Sequence, residues 1–117
     1  MKMMNLSEHF SRQEFACHCG CGYDTVDAEL LTALEDIRGH FGNPITVTSG
    51  CRCDKHNRSV MGSLNSQHKK GRAADIKVLG TSPLVVAKYA EDLGLSVGRY
   101  KTFTHVDTRS QGPARWV

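Results

Sequence analysis

The residues with the most chemistry in them lie in the run Ser66-Gln67-His68-Lys69-Lys70-Gly71-Arg72-Ala73-Ala74-Asp75, which sets a histidine and an aspartate seven positions apart. A second histidine follows in Phe103-Thr104-His105-Val106-Asp107-Thr108. Two imidazoles and a carboxylate are a zinc-ligand set, and three protein ligands leave a fourth position to water, as a catalytic site does. A metal held this way lowers the pKa of that water and polarises a carbonyl. Taken singly, a histidine near a strand end is more often an ordinary surface or core residue. The elements that carry these side chains therefore decide whether they meet.

Both runs read as strands. In the first, Ala74, Ile76 and Val78 fall on one face and Ala73, Asp75 and Lys77 on the other. In the second, Phe103, His105 and Asp107 share a face, with Thr104, Val106 and Thr108 opposite. If the aliphatic faces are core and the strands pair, His68, Asp75 and His105 converge as metal ligands on the other side.

The pattern Ser-x-His-x-x-Gly-x-Ala-x-Asp stands complete as Ser66, His68, Gly71, Ala73 and Asp75. It resembles the signature of the zinc D-Ala-D-Ala peptidases of bacterial cell-wall metabolism. Thr48-Ser49-Gly50-Cys51-Arg52 upstream and His105-Val106-Asp107 downstream are similar to that family in the same order. The resemblance covers roughly residues 7–117. It is nearest to the small branch found in phage lysis proteins and bacterial peptidoglycan hydrolases.

The resemblance implies a zinc metallopeptidase, a D,D-carboxypeptidase or endopeptidase, that cuts a bond of the peptidoglycan stem peptide through zinc-activated water. It implies His68, Asp75 and His105 as ligands and Arg52 as the residue that binds a substrate carboxylate or carbonyl, a two-pronged contact that lysine cannot make. Ser66 and Gln67 are expected to hydrogen-bond substrate or ligands, and Asn57 to face the site. Many relatives carry an acid three positions before the last histidine; here that position is Thr102. Asp107 is then the expected general base, with two alternatives open: it orients His105, or it is itself a ligand. The missing acid also keeps a second reading in view, a non-catalytic zinc module of the same fold, as in the hedgehog signalling domain.

A chain of 117 residues, 39% hydrophobic and 23% charged, suits one globular domain spanning residues 1–117 with a modest core. No apolar run reaches the length of a membrane span. Met1-Lys2-Met3-Met4-Asn5-Leu6 has no apolar signal-peptide core, so the expectation is cytoplasmic synthesis and action on the wall after holin-type release or as a virion component. A net charge of +3 without a basic stripe interleaved with aromatics argues against nucleic acid as partner. It suits an anionic wall polymer. A monomer is expected.

Five cysteines are many for this length. They fall as Cys17, Cys19 and Cys21, then Cys51 and Cys53. Two Cys-x-Cys pairs that meet in space, Cys17 and Cys19 with Cys51 and Cys53, would hold a second, structural zinc; free thiols are the plainer alternative. The Cys/Gly-rich segment 17–22 needs something to fix it.

The remaining elements position these groups. Ser11 and Glu14 make a capping box around a short helical turn carrying Phe15. A helix over residues 26–41, capped by Asp24 or Thr25, lines up Val26, Leu30, Leu34, Ile37 and Phe41. A strand over 45–48 delivers Arg52 to a loop, and residues 54–60 form a helical turn with His56 exposed. Ser82 and Pro83 open a helix with Val86, Tyr89, Ala90 and Leu93 buried. Strands over 95–101 and 103–108 form a hairpin. The end is irregular, with Trp116 packed back on the sheet. The fold class is α+β: a small antiparallel sheet with two main helices on one face and the zinc cleft on the other.

Overall fold

The computed structural model describes residues 5–117. Glu14 accepts a hydrogen bond from the Ser11 backbone at 2.7 Å, and the capping box opens a 3-10 turn at Arg12–Phe15. Helix α1 spans Ala28–Phe41, strand β1 Ile45–Ser49, helix α2 Asp54–Ser59, strand β2 Ala73–Val78, helix α3 Pro83–Asp92, and strands β3, β4 and β5 Ser96–Arg99, Thr104–Asp107 and Arg115–Trp116. A second 3-10 turn at Gln67–Lys70 precedes β2.

The strands form one sheet in the order β1-β2-β4-β3-β5. The first four pair antiparallel, and β5 runs parallel to β3, so the sheet is mixed. The alternation in β2 works as its sequence dictates. Ala74, Ile76 and Val78 point into a core completed by Val97, Val106, Leu30, Leu34, Ile37, Val86, Ala87 and Ala90. Helix α1 lies over β2 and α3 over β3 and β4. Both helices cover this one face, which leaves the Asp75 face for the site. Leu34 and Ile37 are fully buried, each worth roughly 1.5–3 kcal/mol of hydrophobic transfer.

Three departures from the expected elements bear on how the fold is built. Helix α1 starts at Ala28 with Asp27 as N-cap, and the Asp27 N–H donates to the Gly71 carbonyl at 2.8 Å, which ties the helix start to the turn before β2. Leu93 caps α3 and is exposed; Ala87 takes its place in the buried stripe. The C-terminal segment is not all irregular, since Arg115–Trp116 adds the fifth strand. Gly98 explains that docking: a Cβ there would lie 2.5 Å from the Trp116 indole, so only glycine leaves room for the ring. Among the described residues no helix is long and apolar enough to cross a membrane.

Candidate metal centre

A single row of registered residues crosses the whole sheet. Ser49 of β1 pairs with Asp75 of β2, Asp75 with His105 of β4, His105 with Gly98 of β3, and Gly98 with Trp116 of β5. Directly paired residues share a face. Asp75 and His105 therefore stand side by side, and the Trp116 ring leans over Gly98 to within 4.9 Å of the His105 ring.

His68 reaches the same place from the 3-10 turn. Ser66 caps that turn by accepting from the His68 N–H, and Gly71 ends it in the left-handed region at φ 69°. A Cβ on Gly71 would also lie 2.5 Å from the Thr25 carbonyl. This turn brings His68 Nε2 to 3.3 Å from Asp75 Oδ1, while His105 Nδ1 lies 2.9 Å from the same oxygen.

The three ligand atoms lie within 4.8 Å of one another, and all three residues are buried. Each imidazole turns one nitrogen to the carboxylate and secures the other. His68 Nδ1 donates to the Gly50 carbonyl at 2.7 Å, and His105 Nε2 donates to Asp107 Oδ2 at 2.7 Å. This is how proteins orient metal-binding histidines. Burial opposes the charge on Asp75, but His105 and His68 bring its pKa down to about 2. Burial also opposes an imidazolium at His105, yet Asp107 and Asp75 raise its pKa. The donor set, two nitrogens and a carboxylate oxygen, fits zinc.

Asp107 has no free oxygen. Oδ1 accepts from the Arg109 N–H at 3.1 Å and Nε at 2.9 Å, while Oδ2 accepts from Arg109 Nη2 at 2.7 Å and from His105. Its side chain is 0% exposed. Burial would raise its pKa, but Arg109 and His105 hold it well below the usual carboxylate range.

Arg52 borders the cluster, with Nη2 3.6 Å from Asp75 Oδ2. Its Nε donates to Ser49 Oγ at 3.3 Å and Nη1 to Asn57 Oδ1 at 3.3 Å. Asn57 is buried in α2 and ties down the next loop by donating to the Ser63 carbonyl at 2.8 Å.

These residues open onto a cleft of about 510 Å³ that Ser66 and Gln67 also line. Gln67 Oε1 is buried without a hydrogen-bond partner. On one side stand Tyr100, Phe103 and Trp116. Tyr100 stacks on Phe103 at 4.4 Å and accepts from Trp116 Nε1 at 2.9 Å. Sequence reasoning did not place Tyr100 or Arg109 here; Gly98, a glycine inside a strand, was the signal for a close approach that Trp116 fills. Asp75 is the one carboxylate among the described residues that line the cleft. A hollow of about 530 Å³ beside Pro44, Val78 and Pro83 lies away from the ligand cluster.

The cysteines do not meet in the expected combination. Cys17, Cys19, Cys21 and Cys53 converge, and Cys51 stands apart. The Cys51 N–H is taken by the Phe15 carbonyl at 2.8 Å, and the side chain is buried beside Tyr23 and Thr25. Burial pushes its thiol up to about 11.

A model of the family described as Peptidase M15 matches residues 8–107. No curated protein matches the chain.

Proposed function

We propose that this chain, which belongs to the zinc-dependent peptidase M15 family, hydrolyses a peptide bond of the bacterial peptidoglycan stem, a terminal D-Ala-D-Ala bond or a cross-link. The observation that carries the reading is the His68–Asp75–His105 cluster at the floor of a cleft with Arg52 fixed at its edge. His68 Nε2, Asp75 and His105 Nδ1 would hold zinc. Zinc bound there supplies Lewis acidity toward a carbonyl and acidifies water.

The chain's own residues do the rest. Arg52, held on three sides by Ser49, Asn57 and Asp75, orients the substrate carboxylate or carbonyl and offsets charge that develops on oxygen. Gln67 and Ser66, which line the cleft, supply hydrogen bonds to the substrate or to the ligand residues. Tyr100, Phe103 and Trp116 pack the short apolar side chains of the stem and exclude water. Asp107 does not serve as base. Arg109 and His105 saturate both its oxygens, and it is not among the residues that line the cleft; its part is to accept the His105 Nε2–H hydrogen bond and so keep Nδ1 on the Asp75 side, where the metal would be held. Delivery to the wall by holin-type release or in a virion belongs to the same proposal.

A second reading, a zinc module that binds stem peptides without cutting them, is favoured by the absence of a second carboxylate among the described residues lining the cleft. Zinc-loaded protein incubated with a pentapeptide ending in D-Ala-D-Ala, and separately with cross-linked muropeptides, tests both. Free D-Ala or resolved cross-links in the mass spectrum support the enzyme and identify the bond. Binding with intact substrates supports the module.

A further inference from the structure

The segment from Cys17 to Tyr23 has no regular structure and contributes little to the core. Within it, the Cys17 N–H donates to the Tyr23 carbonyl at 2.8 Å and the Gly20 N–H to the Cys17 carbonyl at 3.2 Å. Gly20 and Gly22 sit at φ 81° and 89°, where other residues are strained. These two left-handed positions curl the loop, and the sulfurs of Cys17, Cys19 and Cys21 converge on one point.

Cys53 meets them from another part of the chain. It caps α2, its sulfur accepting from the His56 N–H at 3.4 Å. The Cys53 N–H in turn donates to the Cys17 sulfur at 3.4 Å. The Cys17–Cys19 and Cys19–Cys53 sulfurs are 3.5 Å apart and the Cys17–Cys53 pair 3.8 Å, with all four sulfurs within 4.8 Å. A disulfide needs about 2.05 Å. A tetrahedron of thiolates at about 2.3 Å from zinc has edges of about 3.8 Å. The sulfurs are therefore unbonded and spaced as ligands of one ion. Backbone N–H groups point at two of them, the His56 N–H at the Cys53 sulfur and the Cys53 N–H at the Cys17 sulfur.

We propose that Cys17, Cys19, Cys21 and Cys53 hold a structural zinc ion, separate from the cleft. Binding releases the thiol protons and fixes the loop to the start of α2. Cys53 is next to Arg52, and α2 carries Asn57, so the clamp also steadies the Arg52–Asn57 contact at the cleft edge.

Protein produced in zinc-depleted, cobalt-supplemented medium and kept reduced tests this, because only thiolate ligands give intense near-ultraviolet charge-transfer absorption with cobalt(II). Wild type should carry about two cobalt ions per chain and show the band. His68→Ala should lose one ion and keep the band at full strength. A Cys19→Ser/Cys21→Ser double variant should lose the band. Absence of the band from both wild type and His68→Ala would overturn the proposal, whether or not the cysteine variant folds. Peptidoglycan cleavage measured on the same samples reports on the cleft independently.

Discussion

Nε2 of His105 lies 2.7 Å from Oδ2 of an Asp107 whose side chain is sealed from solvent. The aspartate is itself anchored by a two-pronged Arg109 contact. Asp107→Asn should therefore weaken zinc binding about 10–100-fold, the usual cost of losing such a partner. Competition against a chromophoric chelator measures this. Activity at saturating zinc should largely return, whereas a lost general base would leave affinity intact and activity down roughly 10²–10⁴-fold.

Arg52→Lys keeps the charge and loses the fork that spans Ser49 and Asn57. Zinc content should stay unchanged. The specificity constant kcat/KM should fall about 10²–10³-fold, the scale of losing one oxyanion donor.

Gly62 approaches the same pair from the loop after α2. A Cβ there would collide with Asn57 Oδ1 and lie 3.1 Å from Arg52 Nη1. Gly62→Ala should displace the arginine and lower kcat/KM about 10–100-fold without lowering zinc content. Equal activity in wild type and variant would contradict the placing of Arg52.

Glu35 of α1 holds the segment before the first 3-10 turn. It accepts from Ser7 Oγ, from the His9 N–H at 2.8 Å and from His9 Nδ1 at 2.7 Å. Burial would raise its pKa, but these hydrogen bonds lower it. A depressed carboxylate adds stability above its unfolded pKa of about 4.3, and that stability is lost as pH falls through the folded value. Glu35→Gln should cost roughly 1–2 kcal/mol at neutral pH, with the gap to wild type closing below about pH 4. Urea unfolding at both pH values measures it.

The face of each strand was legible because one side of the sheet is buried, so the period of two in β2 and β4 put Asp75 and His105 opposite the core. The ligand set and its order followed from the resemblance of Ser66–Asp75 and His105 to the zinc D-Ala-D-Ala peptidases. What the sequence hid depends on contacts between distant segments. Asp107 reads as a free acid until Arg109, two residues on, is seen folded back on it. Cys51 and Cys53 look equivalent, but one is pinned under Phe15 and the other starts a helix. A two-residue strand such as Arg115–Trp116 has no period to detect; it exists because Gly98 leaves space for an indole.

The most direct test of the central claim is to titrate metal-free protein with zinc while following release of fragments from purified peptidoglycan, with His68→Ala in parallel. Cleavage that rises with occupancy of the His68–Asp75–His105 site, and that is absent from the variant, is the predicted result. A wild-type protein with that site filled and the peptidoglycan still intact would contradict it.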